Sequence, residues 1–151
     1  MKQLITILLL TLALFAAEYK IGDTIDPINT KDQFEKDHNI TKLPKTIVIA
    51  FEKESSYLFN DYMKNKNGDF LEQNNILFIA DISQMPSFVT TSFALPKMRT
   101  YNYPVLLIKD ENTAFKYPYK EEMLTILNTK NNTIQNINFA STLKELKELL
   151  E

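Results

Sequence analysis

The chain has 151 residues, a formal net charge of −2, one histidine and no cysteine. That length suits one domain after removal of a leader. The charge balance lacks the basic footprint of a nucleic-acid binder, and without thiols neither disulfides nor a lipid anchor on cysteine is possible.

The first predicted element is a leader. Met1-Lys2-Gln3 is weakly basic, Leu4 to Phe15 is apolar apart from Thr6 and Thr11, and Ala16-Ala17 precedes polar Glu18-Tyr19-Lys20. This is the pattern of a secretory signal peptide over residues 1–17, cut after Ala17, with Ala16 as the alternative. The apolar run is short of the roughly 20 residues a spanning helix needs. Residues 18–151 then form the domain, and the expected location is the periplasm. Membrane contact is expected only through the leader before cleavage.

Tyr19 to Ile40 reads as two short strands around a turn at Lys31-Asp32-Gln33. Thr46 to Phe51 (TIVIAF) is a continuous β-branched run, as in a strand covered on both faces. Glu52-Lys53-Glu54 interrupts it with charge. Ser55 to Lys66 then carries Leu58, Phe59, Tyr62 and Met63 at helical spacing, with Ser55 or Ser56 as the expected N-cap. Asn67-Gly68 is a predicted helix stop, the glycine supplying a left-handed residue.

Ile76 to Ala80 (ILFIA) predicts a second buried strand. Pro86 to Leu95 predicts a helix with Pro86 in its first turn, with Phe88, Val89, Ser92 and Phe93 on one face, ended or bent by Pro96. Val105 to Ile108 (VLLI) predicts a third strand. Met123 to Leu127 and Thr133 to Phe139 predict a hairpin around Lys130-Asn131-Asn132. Thr142-x-x-Glu145 is a capping box, opening a last helix lined by Leu143, Leu146, Leu149 and Leu150. Strands alternating with helices, then a hairpin and a final helix, predict one three-layer α/β domain with a mixed sheet.

Two segments resemble the TlpA and peroxiredoxin branch of thioredoxin-like proteins. In IGDTIDPINTKDQFEKDHNI, residues Gly22, Asp23, Asp32, Gln33, Lys36 and His38 match that branch's opening phrase, Pro27 sits near its proline, and Glu35 replaces its usual glycine. Tyr103 to Phe139 resembles its later half, with Tyr117 on a family tyrosine and Leu124 to Leu127 on a family strand. Among such proteins the chain resembles the cysteine-poor periplasmic YtfJ type. The resemblance implies a thioredoxin-like fold, extended at its N-terminus by a β-hairpin. It places Ser56 and Phe59 on the two redox cysteines. The family's cis-proline falls on Met123, or on Pro104 in a rival register. The resemblance therefore implies an exported module without thiol redox chemistry. Such a module would act by binding, with another periplasmic protein as the expected kind of partner.

The remaining chemistry is sparse. A helix N-terminus stabilises negative charge by up to about 2 kcal/mol. That suffices for a thiol near 8.5 but not for an alcohol near 15.7, so a serine nucleophile at Ser55 or Ser56 would need a base. The single histidine, His38, lies on the N-terminal hairpin. Glu52, Lys53 and Glu54, with Ser55, Ser56 and Met123, are the candidate binding positions at the former redox site. Met63, Met85, Met98 and Met123 carry thioethers of the kind that hold copper. Met63 lies on an apolar helix face and Met123 starts a strand, so both are expected in the core. With no cysteine, one histidine and no clustered carboxylates, no metal site is expected. Tyr117-Pro118-Tyr119 and Tyr101-x-Tyr103 form an aromatic-rich region. No cofactor is expected, the alternative being an oxidoreductase with a bound cofactor such as flavin. Asp37-His38-Asn39-Ile40-Thr41 resembles the acceptor sequence of bacterial N-glycosylation, at Asn39; Asn131-Asn132-Thr133 lacks the acidic residue.

Overall fold

A computed structural model describes residues 17–151; the expected signal peptide lies outside the described residues except for Ala17. The hairpin β1 (Ile28–Lys31) and β2 (Asp37–Ile40) forms a two-stranded antiparallel sheet. The main sheet contains β3 (Thr46–Ala50), β4 (Ile76–Asp81), β5 (Leu106–Ile108), β6 (Leu124–Lys130) and β7 (Thr133–Ala140). Its order is β5-β4-β3-β6-β7. β3 runs parallel to β4, and β4 parallel to β5, whereas β6 is antiparallel to both β3 and β7. The mixed α/β sheet and the separate hairpin match the predicted fold class.

The continuous apolar runs are explained by layers on both sides. Side chains alternate across a strand, so Val48 and Ala50 enter one core with Phe59, Phe78, Leu107 and Leu146. Ile47 and Ile49 enter the other, with Ile25, Ile79, Leu106 and Leu127. The first core is closed by α1 (Lys53–Met63) and α6 (Leu143–Leu150). The second is closed by the N-terminal segment and α5 (Glu111–Ala114), a short helix absent from the sequence reading.

Three local readings need correction. First, α1 ends at Met63, and Gly68 is not in the left-handed region; a Cβ there would lie 2.5 Å from the Asn102 carbonyl oxygen. Glycine is needed for that close approach, and the short α2 (Phe70–Gln73) follows. Second, Pro86 is the N-cap, not a first-turn residue, of α3 (Ser87–Val89). Third, Pro96 does not end the helix. The chain passes through a π-helical segment, Thr90–Ala94, into α4 (Leu95–Met98), and Leu95 N–H bonds Thr90 O five residues back. Proline clashes with the carbonyl one turn earlier, and the widened turn accommodates it.

Turn chemistry follows the asparagine-rich composition. Asn131 and Asn132 have φ of 52° and 61°, as a tight β6–β7 hairpin requires. Asn132 also accepts from Leu43 N–H at 2.8 Å and donates to Thr41 O at 2.7 Å. At the β1–β2 turn Glu35 has φ 64°, in the left-handed region that glycine occupies freely. Gln33 is fully buried there: it donates to Tyr103 O at 2.9 Å and accepts from Val105 N–H at 2.8 Å. These bonds pin the hairpin to the start of β5.

Candidate functional site

The site begins where β3 enters α1. The helix starts at Lys53, so its N-cap is Glu52, neither Ser55 nor Ser56. Ser55 instead occupies the third helical position. Its hydroxyl accepts from Glu52 N–H at 3.3 Å and donates to Glu52 O at 3.0 Å, and the residue is 1% exposed. A hydroxyl so placed caps the helix from inside and has no room for a substrate. Ser56 is half-buried in the next position. Its backbone N–H makes the first helical bond, to Glu52 O at 3.0 Å. Phe59 is fully buried and stacks on Phe78 with centroids 3.9 Å apart and planes 9° apart.

Glu52, Lys53 and Glu54 do not form one exposed face. Lys53 and Glu54 are exposed, but the half-buried Glu52 turns its carboxylate onto the segment before β6. Tyr119 O–H donates to Glu52 Oε1 at 2.6 Å, and Glu122 N–H donates to Oε2. Holding its proton on a carboxylate pushes the Tyr119 hydroxyl up to about 12. Glu122 itself has φ 59°, so this anchored segment turns through a left-handed residue immediately before Met123.

Met123 and Pro104 lie at different ends of the sheet. Because β6 is antiparallel to β3, Met123, just before β6, is at the end of the sheet where β3 meets α1. Because β5 runs parallel to β4 and β3, Pro104 is at the opposite end. All peptide bonds among the described residues are trans. Met123 is half-buried, so it is less a core residue than Met63, which is 1% exposed.

Beside the junction is a cleft of about 590 Å³. Phe51 and Glu52 leave β3 on one side, Asp81 ends β4 on another, and Phe115 and Tyr119 close it. Phe51 and Tyr119 meet edge to face with centroids 5.4 Å apart. Crevices at the carboxyl ends of parallel strands are the ordinary ligand site of open α/β sheets. Of the predicted binding positions only Glu52 lines it. Sequence reasoning missed Phe51, Asp81 and Phe115 as site residues because they come from separate segments and share no motif, and it weighed Met85 only for its thioether. The aromatic region it did single out divides. Tyr103 and Tyr117 are buried, and the hydroxyls of both are raised by burial. Tyr119 remains 48% exposed.

His38 belongs to another place. Its Nε2 lies 2.8 Å from Asp32 Oδ2, within the hairpin, where it lines a second cavity of about 780 Å³ that Ser56 does not reach. Asp32 also accepts from Phe34 N–H at 2.8 Å and Lys36 N–H at 3.1 Å. Burial works against its charge, but His38 and the two backbone donors outweigh it and hold the carboxyl below 3.8. The pair closes a turn and is not presented to a nucleophile. Asn39 is exposed on β2, as is Asp37. No group of three or more His, Cys, Asp or Glu side chains among the described residues could hold a metal ion.

No family model matches the chain, and no curated protein matches it. Solved structures do. A putative protein disulfide isomerase from Bacteroides thetaiotaomicron is similar at TM-score 0.56 and 13% identity, over 87% of this chain and 86% of that one. The thioredoxin domain of a thiol-disulfide oxidoreductase from Bacteroides vulgatus is similar at TM-score 0.54 and 11% identity, over 89% and 100%. StoA from Bacillus subtilis is similar at TM-score 0.54 and 15% identity, over 83% and 96%. At these identities the likeness is one of fold. The chain has a thioredoxin-like fold, built without a single cysteine.

Proposed function

We propose that this protein is a non-redox thioredoxin-like module of the periplasm that acts by binding, as an accessory or interaction domain. The observation carrying this reading is the β3–α1 junction. At the positions aligned with the family's thiols stand Ser56, an alcohol without a neighbouring histidine, and Phe59, which is packed in the core. The Met123 register is preferred for the former cis-proline position, since Met123 shares the junction's end of the sheet. A YtfJ-type relationship and export through residues 1–17 belong to this reading, supported by the sequence pattern alone.

The test is thiol–disulfide exchange and peroxide turnover by the purified, metal-free protein, beside a native pull-down whose bound species are identified by mass spectrometry. No turnover above background is expected, and clear turnover overturns the reading. Asn39 is proposed as a glycan acceptor on the strength of its acidic-preceded motif and its exposure on β2. An intact mass of the native protein equal to that of the bare processed chain removes that proposal.

A further inference from the structure

We propose that the cleft beside the β3–α1 junction binds a small organic cation with an aromatic or aliphatic body. The proposal names the ligand class for the binding role above and rests on it. Two features of the cleft converge. Apart from Glu18, whose own α-amino group would balance its carboxylate after a cut at Ala17, its charged lining residues are Glu52 and Asp81, with no lysine, arginine or histidine among the described residues that line it. Its walls are Phe51, Met85, Phe115 and Tyr119, and Phe115 and Tyr119 are left 58% and 48% exposed. The hairpin cavity makes the contrast, since Lys31, Lys109, Lys116 and His38 line it together with aspartates.

Carboxylates and aromatic faces attract the same kind of group. A cation over an aromatic ring is drawn by the ring's quadrupole, more strongly as water is removed. Tyr119 donates its hydroxyl hydrogen to Glu52, which makes its oxygen and ring more electron-rich. Asp81 uses one oxygen, Oδ1, to accept from Ser83 N–H at 2.8 Å, and Oδ2 makes no hydrogen bond among the described residues. An anion entering the cleft would meet the carboxylates of Glu52 and Asp81. A neutral apolar molecule would cover the walls but strip water from those carboxylates without compensation. An ammonium on an apolar body satisfies both. The volume of about 590 Å³ suits a small molecule.

The experiment is calorimetric titration of the purified protein with benzyltrimethylammonium, benzyl alcohol and benzoate, at low and moderate salt. Benzyltrimethylammonium is expected to bind at least about tenfold more tightly than the other two, and more weakly as salt rises. Asp81→Asn and Phe115→Ala are each expected to weaken it several-fold. Neither site is in the core, so unchanged thermal midpoints confirm folded variants. Equal binding of benzyl alcohol, lost in Phe115→Ala, overturns the cation while the cleft survives as a binding site. No binding of benzyltrimethylammonium, or binding unaffected by both variants, overturns the proposal. A protein partner captured by the wild type but not by Phe115→Ala, with no ammonium binding, also overturns it yet leaves the module's binding role standing.

Discussion

Replacing Phe59 by alanine tests whether position 59 belongs to the core and not to a ligand-facing surface. The side chain is fully buried, stacks on Phe78 at 3.9 Å and meets Tyr103 edge to face at 5.7 Å. Truncating a buried phenylalanine costs about 3–5 kcal/mol, through lost transfer energy and the cavity left behind. Its aromatic contacts place Phe59 toward the upper part of that range, since each such pair adds about 0.5–1.5 kcal/mol beyond area burial. A domain of this size has about 5–15 kcal/mol in total, so the variant loses a large share. The thermal midpoint should fall by roughly 8–16 °C for a loss of about 4 kcal/mol. Urea unfolding followed by far-ultraviolet circular dichroism gives the free energy directly. A loss below about 1 kcal/mol would refute the argument, because it would mean that position 59 is not packed and could still face a ligand.

Three further outcomes follow from single contacts. The Asp32 carboxyl is held below 3.8 when folded, so it contributes stability above that pH and loses it as pH falls through the folded value. Asp32→Asn should therefore lower the urea midpoint at pH 7 but flatten its decline below about pH 4; an unchanged acid limb would count against the Asp32–His38 turn as its source. Glu52→Gln should bring the Tyr119 hydroxyl down from about 12 toward the ordinary value near 10, read as tyrosinate absorbance in an alkaline titration. A titration identical to wild type would show that the carboxylate does not hold that proton. Gly68→Ala should destabilise by about 1–3 kcal/mol, since the new Cβ meets a backbone oxygen, not a movable side chain. A neutral result in urea unfolding would show that the Asn102 backbone yields easily.

Several features were legible because they depend on near neighbours. The continuous runs TIVIA and ILFIA specify strands buried on both faces, and both become central in the sheet. Asn131-Asn132 specifies a tight hairpin because asparagine tolerates positive φ. Thr142 accepts from Glu145 N–H at 3.2 Å, as the capping box predicts. Glu52 misled because a glutamate before two serines reads as a loop charge. What makes it the N-cap is its extended backbone and its reciprocal bonds with Ser55, while its carboxylate is drawn to Tyr119 and Glu122, about seventy residues later in the chain.

By itself, then, the sequence determined the absence of thiols and the alternation of elements, since composition and periodicity are local properties, while the thioredoxin-like class was implied only by its resemblance to that family. Tertiary structure alone decided three other matters. It separated His38 from the junction, by tying it to Asp32 within the hairpin. It set Met123 and Pro104 at opposite ends of the sheet, because strand direction is a property of pairing. It also assembled the acidic, aromatic cleft from Phe51, Asp81, Phe115 and Tyr119. Residues so far apart in the chain meet only when the strands that carry them pair and the loops that follow converge.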